Sequence, residues 1–365
     1  MFITRKWPPA VGGMELYSEE LACALRSISD VDLEVIALKG EQTGRAPGLL
    51  AIFAFFFRAT WFLLRNSRKY DVVHFGDFVL FPLAILDRWL CRSRVRCMTV
   101  YGLDLTFGRK KGLLPAIYRR FVKFSASQGS AVDCYIAISQ FTGNLAESVG
   151  LGPVVVVPLG IRMENFEMAR EEIDAKKREQ FVFYLGRVVR RKGALWFAEN
   201  VLPRFNGELK FVVAGRFYSS EEREYLSGLP NVEVLGQVPH VEALSYRKRA
   251  VATIMPNIRV ENSADVEGFG LTALEAPAAG SILIASRLEG IEDAVMDGVT
   301  GLLAEAGDSA DWEKKLREVL TWDDEKRCEF IRNARETLQM NYTWQLVAQR
   351  TVDAYRTSFD RKRLS

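Results

Sequence analysis

The sequence predicts an α/β protein of two domains, each a mostly parallel sheet flanked by helices. Short β-rich runs alternate with longer helical stretches in both halves, the pattern that crossover helices between parallel strands produce. The runs lack polar alternation, and Val-Val-Val-Val at 154–157 needs none if both faces of its strand are buried. A chain of 365 residues with 48% hydrophobic content is too long for one comfortable core and apolar enough for two.

In chain order, strands are predicted at 2–5, 33–38, 71–75, 96–100, 135–138 and 154–157, with a helix at 15–27 after the first. The run 49–64, LLAIFAFFFRATWFLL, is the most apolar, but Arg58 interrupts it and Arg65, Arg68 and Lys69 follow. It reads as a core helix on its inner face, with lipid contact for the rest. The stretch 160–180 is charged, polar and strand-free, the candidate hinge. A second set of strands follows at 181–185, 210–214, 232–235, 253–255, 281–285 and 301–304, and Asp323-Asp324 marks a helix start. The expected division is an N-terminal domain at 1–160, a linker at 161–180, a C-terminal domain at 181–341 and a helix at 342–365 packing back across the hinge. Open α/β sheets bind ligands beyond the carboxyl ends of their strands, here in the cleft between domains.

Five scattered cysteines without a CxxC pair fit buried free thiols in a reducing compartment, and no zinc site or other metal site is expected. The N-terminal residues have no apolar signal core, and no segment offers about 18 uninterrupted apolar residues. A cytoplasmic protein is expected. Net charge is +3, but 19 basic residues face 13 acidic ones through Gly160, against 30 and 33 thereafter. The basic excess lies in Arg88 to Arg96, with Arg92 and Arg94 between them, and around Lys110, Lys111, Arg119, Arg120 and Lys123. An anionic membrane surface and an ordinary solvated face explain it equally well, whereas no nucleic-acid-binding module accompanies these residues.

The stretch Val266-Glu267-Gly268-Phe269-Gly270-Leu271-Thr272-Ala273-Leu274-Glu275 is a glycine loop opening a helix, bracketed by two carboxylates. Its glycines leave backbone amides uncovered, and a helix's first turn attracts anions. Glu275 lies roughly 7 Å along the helix from Gly270, with Glu267 on the loop side. A nucleotide sugar matches that layout, with sugar hydroxyls, a diphosphate and ribose hydroxyls in line. At 181–193 a strand runs into a glycine turn and a cationic cluster, in which Arg187 and Lys192 suit a diphosphate, the first as a planar fork and the second as a point charge. Near the start, Gly12-Gly13 lies between the first strand and a helix, where a backbone can approach a phosphate.

Taken in order, Gly12-Gly13, Gly186-Arg187 through Lys192-Gly193, Glu267 through Glu275 and Ala276-Pro277-Ala278-Ala279-Gly280 resemble the family 4 glycosyltransferases. So do Leu288-Glu289-Gly290-Ile291-Glu292-Asp293 and Asp297-Gly298-Val299-Thr300-Gly301-Leu302. The similarity covers nearly the whole chain and is strongest over 181–308. It implies the GT-B fold, two Rossmann-like domains facing across a deep cleft, and a retaining, metal-independent transfer from a UDP- or GDP-linked sugar. By carry-over, Glu267 and the amides of Phe269, Gly270 and Leu271 hold the donor sugar and phosphate, with Gly268 in the same loop. Glu275 takes the ribose hydroxyls, Arg187 and Lys192 grip the diphosphate, and the main chain near Val238 lines the base.

One departure is visible. The family carries a His-Gly after the fourth N-terminal strand, and here Tyr101-Gly102-Leu103-Asp104 stands in its place. A phenol is uncharged near neutrality, so the contact to the sugar's outer hydroxyl changes. His74 and Asp77, at the end of the third strand, are candidates for the acceptor side with Tyr101 and Asp104; a hydrogen-bonded structural histidine is the other reading of His74. The leading expectation is transfer to a lipid-linked or saccharide acceptor at the cytoplasmic membrane face, as in envelope polysaccharide synthesis. A soluble enzyme for small acceptors would use the same donor site. A nucleotide-sugar-binding protein without turnover is disfavoured by the retention of Glu267, Glu275, Arg187 and Lys192.

Overall fold

The six apolar runs of the N-terminal half form strands β1 (Phe2–Trp7), β2 (Val35–Lys39), β3 (Val72–Phe75), β4 (Val95–Val100), β5 (Cys134–Ala137) and β6 (Val154–Val156). In the computed structural model, which describes residues 1–10, 12–40, 47–66, 68–169, 178–261 and 263–364, they pair in parallel in the order β2-β1-β3-β4-β5-β6. Every residue of β4 and β5 is buried, and apart from Arg96 and Thr99 these strands are built of apolar and aromatic residues and cysteine. The connecting helices are α1 (Gly13–Arg26), α2 (Leu49–Arg65), α3 (Phe81–Leu90), α4 (Leu103–Thr106), α5 (Leu113–Ser127) and α6 (Gln140–Ser148). Right-handed crossovers place α2, α3, α5 and α6 on one face of this sheet and α1 on the other.

The second sheet has the order β12-β11-β10-β7-β8-β9, again all parallel. Its strands are β7 (Glu179–Leu185), β8 (Lys210–Ala214), β9 (Val232–Gly236), β10 (Ala250–Met255), β11 (Leu283–Arg287) and β12 (Leu302–Glu305). Between them run α7 (Ala194–Asn200), α8 (Ser220–Gly228), α9 (His240–Arg249), α10 (Thr272–Ala278) and α11 (Ile291–Ala294), followed by α12 (Ser309–Leu320) and α13 (Asp324–Asn341). Its core centres on Phe197, packed 4.9 Å from Phe211 and 5.7 Å from Trp312 between ring centroids. Asp323 caps α13 by accepting the Lys326 N–H at 2.8 Å, as the acidic pair predicts.

The last helix, α14 (Trp344–Leu364), returns to the first sheet and packs on α1, β4 and β5. The chain accordingly divides into two compact units, one of Met1–Gly160, Ala264–Gly268 and Trp344–Ser365, and a second of Ile161–Ser263 and Phe269–Thr343. Of the linker expected at 161–180, residues 170–177 lie outside the described residues. The strand-free span ends early, because β7 already begins at Glu179, whose carboxylate pairs with Arg249 at 2.8 Å where the two strands meet.

One expectation about charge fails. Arg94 and Arg96, counted in the basic excess, are sealed inside the first unit. Arg94 pairs with Asp87, and Arg96 reaches Asp133 at 3.3 Å and Asp87 at 3.7 Å. Lys362 of α14 joins Asp133 at 2.9 Å. A buried guanidinium is stable only with such partners, here one carboxylate 7 residues from Arg94 and another 37 residues from Arg96. Of the four arginines in this run, only Arg92 is exposed, and Arg88 is half-buried.

Candidate active site

The second unit's sheet switches direction between β7 and β10: the chain moves outward through β8 and β9, then returns to β7's other side. The loops after β7 and β10 diverge there, and such a switch point is where open α/β sheets leave room for a ligand. Arg187 follows β7, exposed, and Arg190–Lys192 forms a single 3-10 turn. Gly193 closes that turn with φ +74, and a Cβ there would stand 1.6 Å from the Pro256 carbonyl oxygen, so only glycine fits. The Ile258 N–H donates to the Arg191 carbonyl at 2.9 Å, tying the two loops together. Gly215 does the same beside β8: with φ +134, its Cβ would meet the Gly186 carbonyl oxygen at 1.8 Å. Val238, after β9, is half-buried against the cluster around Phe183 and Tyr246.

The loop after β10 delivers Phe269, which is buried, then Gly270 with φ +88, Leu271 and α10. The helix is only seven residues long and contains Pro277, so its dipole is small. An anion is therefore held by individual amides. The Ala273 and Leu274 amides already donate to Gly270 and Leu271 carbonyls at 2.8 and 2.9 Å, which leaves the amides ahead of them outside the helical ladder.

Glu275 is one-third exposed, and its Oε2 accepts from Nη2 of Arg247 at 2.8 Å. Arg247 itself is buried, on the inner face of α9 with Ala243 and Leu244. Sequence reasoning missed it, because it sits in the basic run Arg247-Lys248-Arg249 that looks solvated. The signal was the 243, 244, 247 spacing, which puts Arg247 on the apolar side of the helix.

In the first unit, Ala264–Gly268 is seated on the loops beyond β4 and β5. Thr106 Oγ1 donates to the Ala264 carbonyl at 2.6 Å, Thr142 Oγ1 to the Gly268 carbonyl at 3.4 Å, and Lys110 pairs with Asp265 at 2.8 Å. A Cβ on Gly268 would lie 2.6 Å from the Tyr101 carbonyl oxygen, so the glycine permits this approach. Glu267 is half-buried in this segment. Gly12 is extended, with φ 178, and Gly13 starts α1.

Of the two readings of His74, the structure favours the hydrogen-bonded structural one. His74 is 2% exposed, with Nδ1 2.7 Å from the Tyr355 hydroxyl and Nε2 2.7 Å from Thr99 Oγ1. Both ring nitrogens are occupied in the core, and burial pushes the imidazole's pKa down to about 3. Asp77 is also buried. It accepts from Arg5 Nη2 at 2.9 Å and from the Val79 N–H at 3.0 Å, so its carboxylate fixes the turn after β3. Asp104 is half-buried and accepts the Tyr101 N–H at 3.2 Å; burial, then the charge of Asp77, raises its pKa to about 6. Tyr101 packs edge-on to Tyr17 at 5.5 Å, and burial raises its phenol well above the ordinary value. Among the described residues, no cluster of three or more His, Cys, Asp or Glu side chains suits a metal ion.

The family model described as Glycosyltransferase Family 4 matches residues 11–165, and that described as Glycosyl transferases group 1 matches residues 165–337. A glycogen synthase of Mycobacterium tuberculosis is 30% identical over 80% of this chain and 69% of its own length. The chain belongs to the family 4 glycosyltransferases. This glycosyltransferase is also 24% identical to the capsular polysaccharide biosynthesis glycosyltransferase CapM of Staphylococcus aureus, over 81% of this chain and 79% of that one. In fold it resembles Anabaena HepE in complex with UDP-glucose, with a TM-score of 0.68 at 14% identity, covering 98% of this chain and 99% of that one. Its two parallel six-stranded sheets are those of a GT-B glycosyltransferase.

Proposed function

We propose that this glycosyltransferase is a retaining, metal-independent enzyme. It would move a sugar from a UDP- or GDP-linked donor to a hydroxyl of a lipid-linked or saccharide acceptor at the cytoplasmic face of the membrane. The observation that carries the donor half is the joined pair of loops at the second unit's switch point, with Glu275 anchored by Arg247. HepE was solved with UDP-glucose, which supports a nucleotide-sugar donor, and CapM's role in capsular polysaccharide biosynthesis supports a saccharide acceptor.

In this reading Glu275 accepts both ribose hydroxyls, while Arg187, Lys192 and the amides of Phe269 to Leu271 neutralise the diphosphate. Glu267 and Gly268 meet the sugar, Gly12 and Gly13 approach the phosphate, and the main chain near Val238 lines the base. The bond from the sugar's anomeric carbon to the diphosphate oxygen breaks, and its electron pair stays on the diphosphate. The acceptor oxygen bonds to that carbon on the same face, passing its proton to the departing phosphate oxygen. Cations and aligned amides stabilise the charge that develops there.

Thermal-shift measurements with UDP, GDP and their sugars test the pocket. One nucleotide should stabilise the chain, Glu275→Ala should lose most of that shift, and Lys192→Ala should keep binding while lowering turnover roughly a hundredfold or more. Absence of any nucleotide shift, or unchanged kinetics in both variants, rejects the assignment.

A further inference from the structure

Helix α2 is apolar on two opposite sides. At about 100° per residue, Phe55, Ala59 and Leu63 face the core together, and all three are buried. Leu49, Leu50, Phe53, Phe57, Trp61 and Leu64 fall within an arc of about 120° on the far side, and all six are exposed, Leu50 by 86% and Phe57 by 74%. Arg58 and Arg65 border that stripe. On the same face of the sheet, α5 repeats the arrangement: Leu113, Leu114, Ile117 and Phe124 are exposed, with Arg119, Arg120 and Lys123 exposed on the adjoining arc. Helix α3 lies between them, packed against α2 and joined to α5 through Phe81 and Phe121, and presents Trp89 at 83% exposure. An isolated exposed leucine is ordinary, but a contiguous layer of leucines and aromatics marks a binding surface.

We infer that the outer face of the α2–α3–α5 layer docks on an anionic lipid bilayer. Charge selects this occupant. Neither 47–70 nor 105–132 contains an aspartate or glutamate, whereas the two stretches together supply ten arginines and lysines, including Lys69 and Lys110, which pair with Glu34 and Asp265. Apolar side chains entering the headgroup boundary with cations beside them suit phosphate headgroups. A second copy of the chain would set the same cations against each other across a two-fold axis. Insertion across the bilayer is not open to α2, because its inner stripe is part of the core, and no helix among the described residues is long and apolar enough to cross. The inference rests on the membrane-acceptor part of the proposed function and names the surface that brings the first unit to its lipid. It also supersedes the basic run at Arg88 to Arg96 as the source of the contact, since Arg94 and Arg96 are internal.

Flotation of the full chain with vesicles tests the surface. The chain should float with phosphatidylcholine–phosphatidylglycerol vesicles, should bind phosphatidylcholine alone at least tenfold more weakly, and should be released by salt. The pair Phe53→Ser with Phe57→Ser, and separately Arg119→Glu with Lys123→Glu, should each weaken binding about tenfold or more. Both pairs lie on exposed side chains, and the nucleotide thermal shift checks that each variant is folded. Brominated lipid should quench the fluorescence of Trp61 and Trp89. Failure to float, flotation unaltered in both variants, or a dimer in solution that the Phe53 and Phe57 changes dissociate, overturns the surface. A chain that floats without responding to any nucleotide supports the surface and rejects the donor reading; one that responds to a nucleotide but does not float rejects the surface alone.

Discussion

Arg247 and Glu275 show how one side chain prepares another for a ligand. A glutamate one-third exposed at the start of a seven-residue helix samples several rotamers unless something holds it, and a buried arginine on a neighbouring helix does so at 2.8 Å. Charge-assisted hydrogen bonds of this kind contribute about 1.5–3 kcal/mol. Arg247→Met should therefore weaken donor affinity roughly ten- to hundredfold. The double variant with Glu275→Ala should bind no worse than Glu275→Ala alone, since the two residues act as one unit. Calorimetric titration of the nucleotide measures this, and additive losses would show that the pair does not cooperate. Glu275 was legible in the sequence because a glycine loop announces it. Arg247 was not, because a cation's burial depends on a partner 28 residues away.

At the scale of elements, the strands were readable and the helix faces were not. All six strands of each sheet lie within a few residues of the predicted runs, since parallel strands covered on both sides are mostly apolar. Helix α2 misleads by the same logic, because its sequence shows apolar residues nearly all round and only the packing reveals which stripe is covered. The loops at the second unit's switch point depend on glycines for closeness. Gly193→Ala combines a left-handed φ with a clash against the Pro256 carbonyl and should cost about 2–4 kcal/mol. Gly280→Ala has a similar φ of +79 but nothing within 4 Å of its Cβ, and should cost only about 1–2 kcal/mol. Denaturant midpoints of the two variants compare them, and equal losses would show that the close approach to Pro256 does not matter.

For the whole molecule, a buried histidine and a half-buried aspartate give the stability a pH dependence of opposite signs. His74 has its pKa lowered to about 3, so the unfolded chain binds a proton that the folded chain refuses; its contribution is complete above the ordinary histidine value near 6.5 and falls away as pH drops toward 3. Asp104 has its pKa raised to about 6, so its contribution is complete below the ordinary carboxylate value near 3.9 and is lost as pH rises through 6. Each limiting slope is ~1.4 kcal/mol per pH unit, and between about pH 4 and 6 they oppose one another. His74→Gln should flatten the acid-side loss of stability, and Asp104→Asn should stabilise the chain more at pH 7 than at pH 4. Urea midpoints across this range test both, and parallel curves for wild type and variants would contradict the assignments.

The sequence by itself determined the two parallel sheets, the family and the order of the glycine and cation motifs, because strand burial and tight turns leave their marks on neighbouring residues. Only the tertiary structure decided that His74 and Asp77 serve the core, that Arg94, Arg96 and Arg247 are buried, and that one stripe of α2 is left uncovered. Each of these depends on partners supplied from elsewhere in the chain, and local sequence does not record where those partners fall.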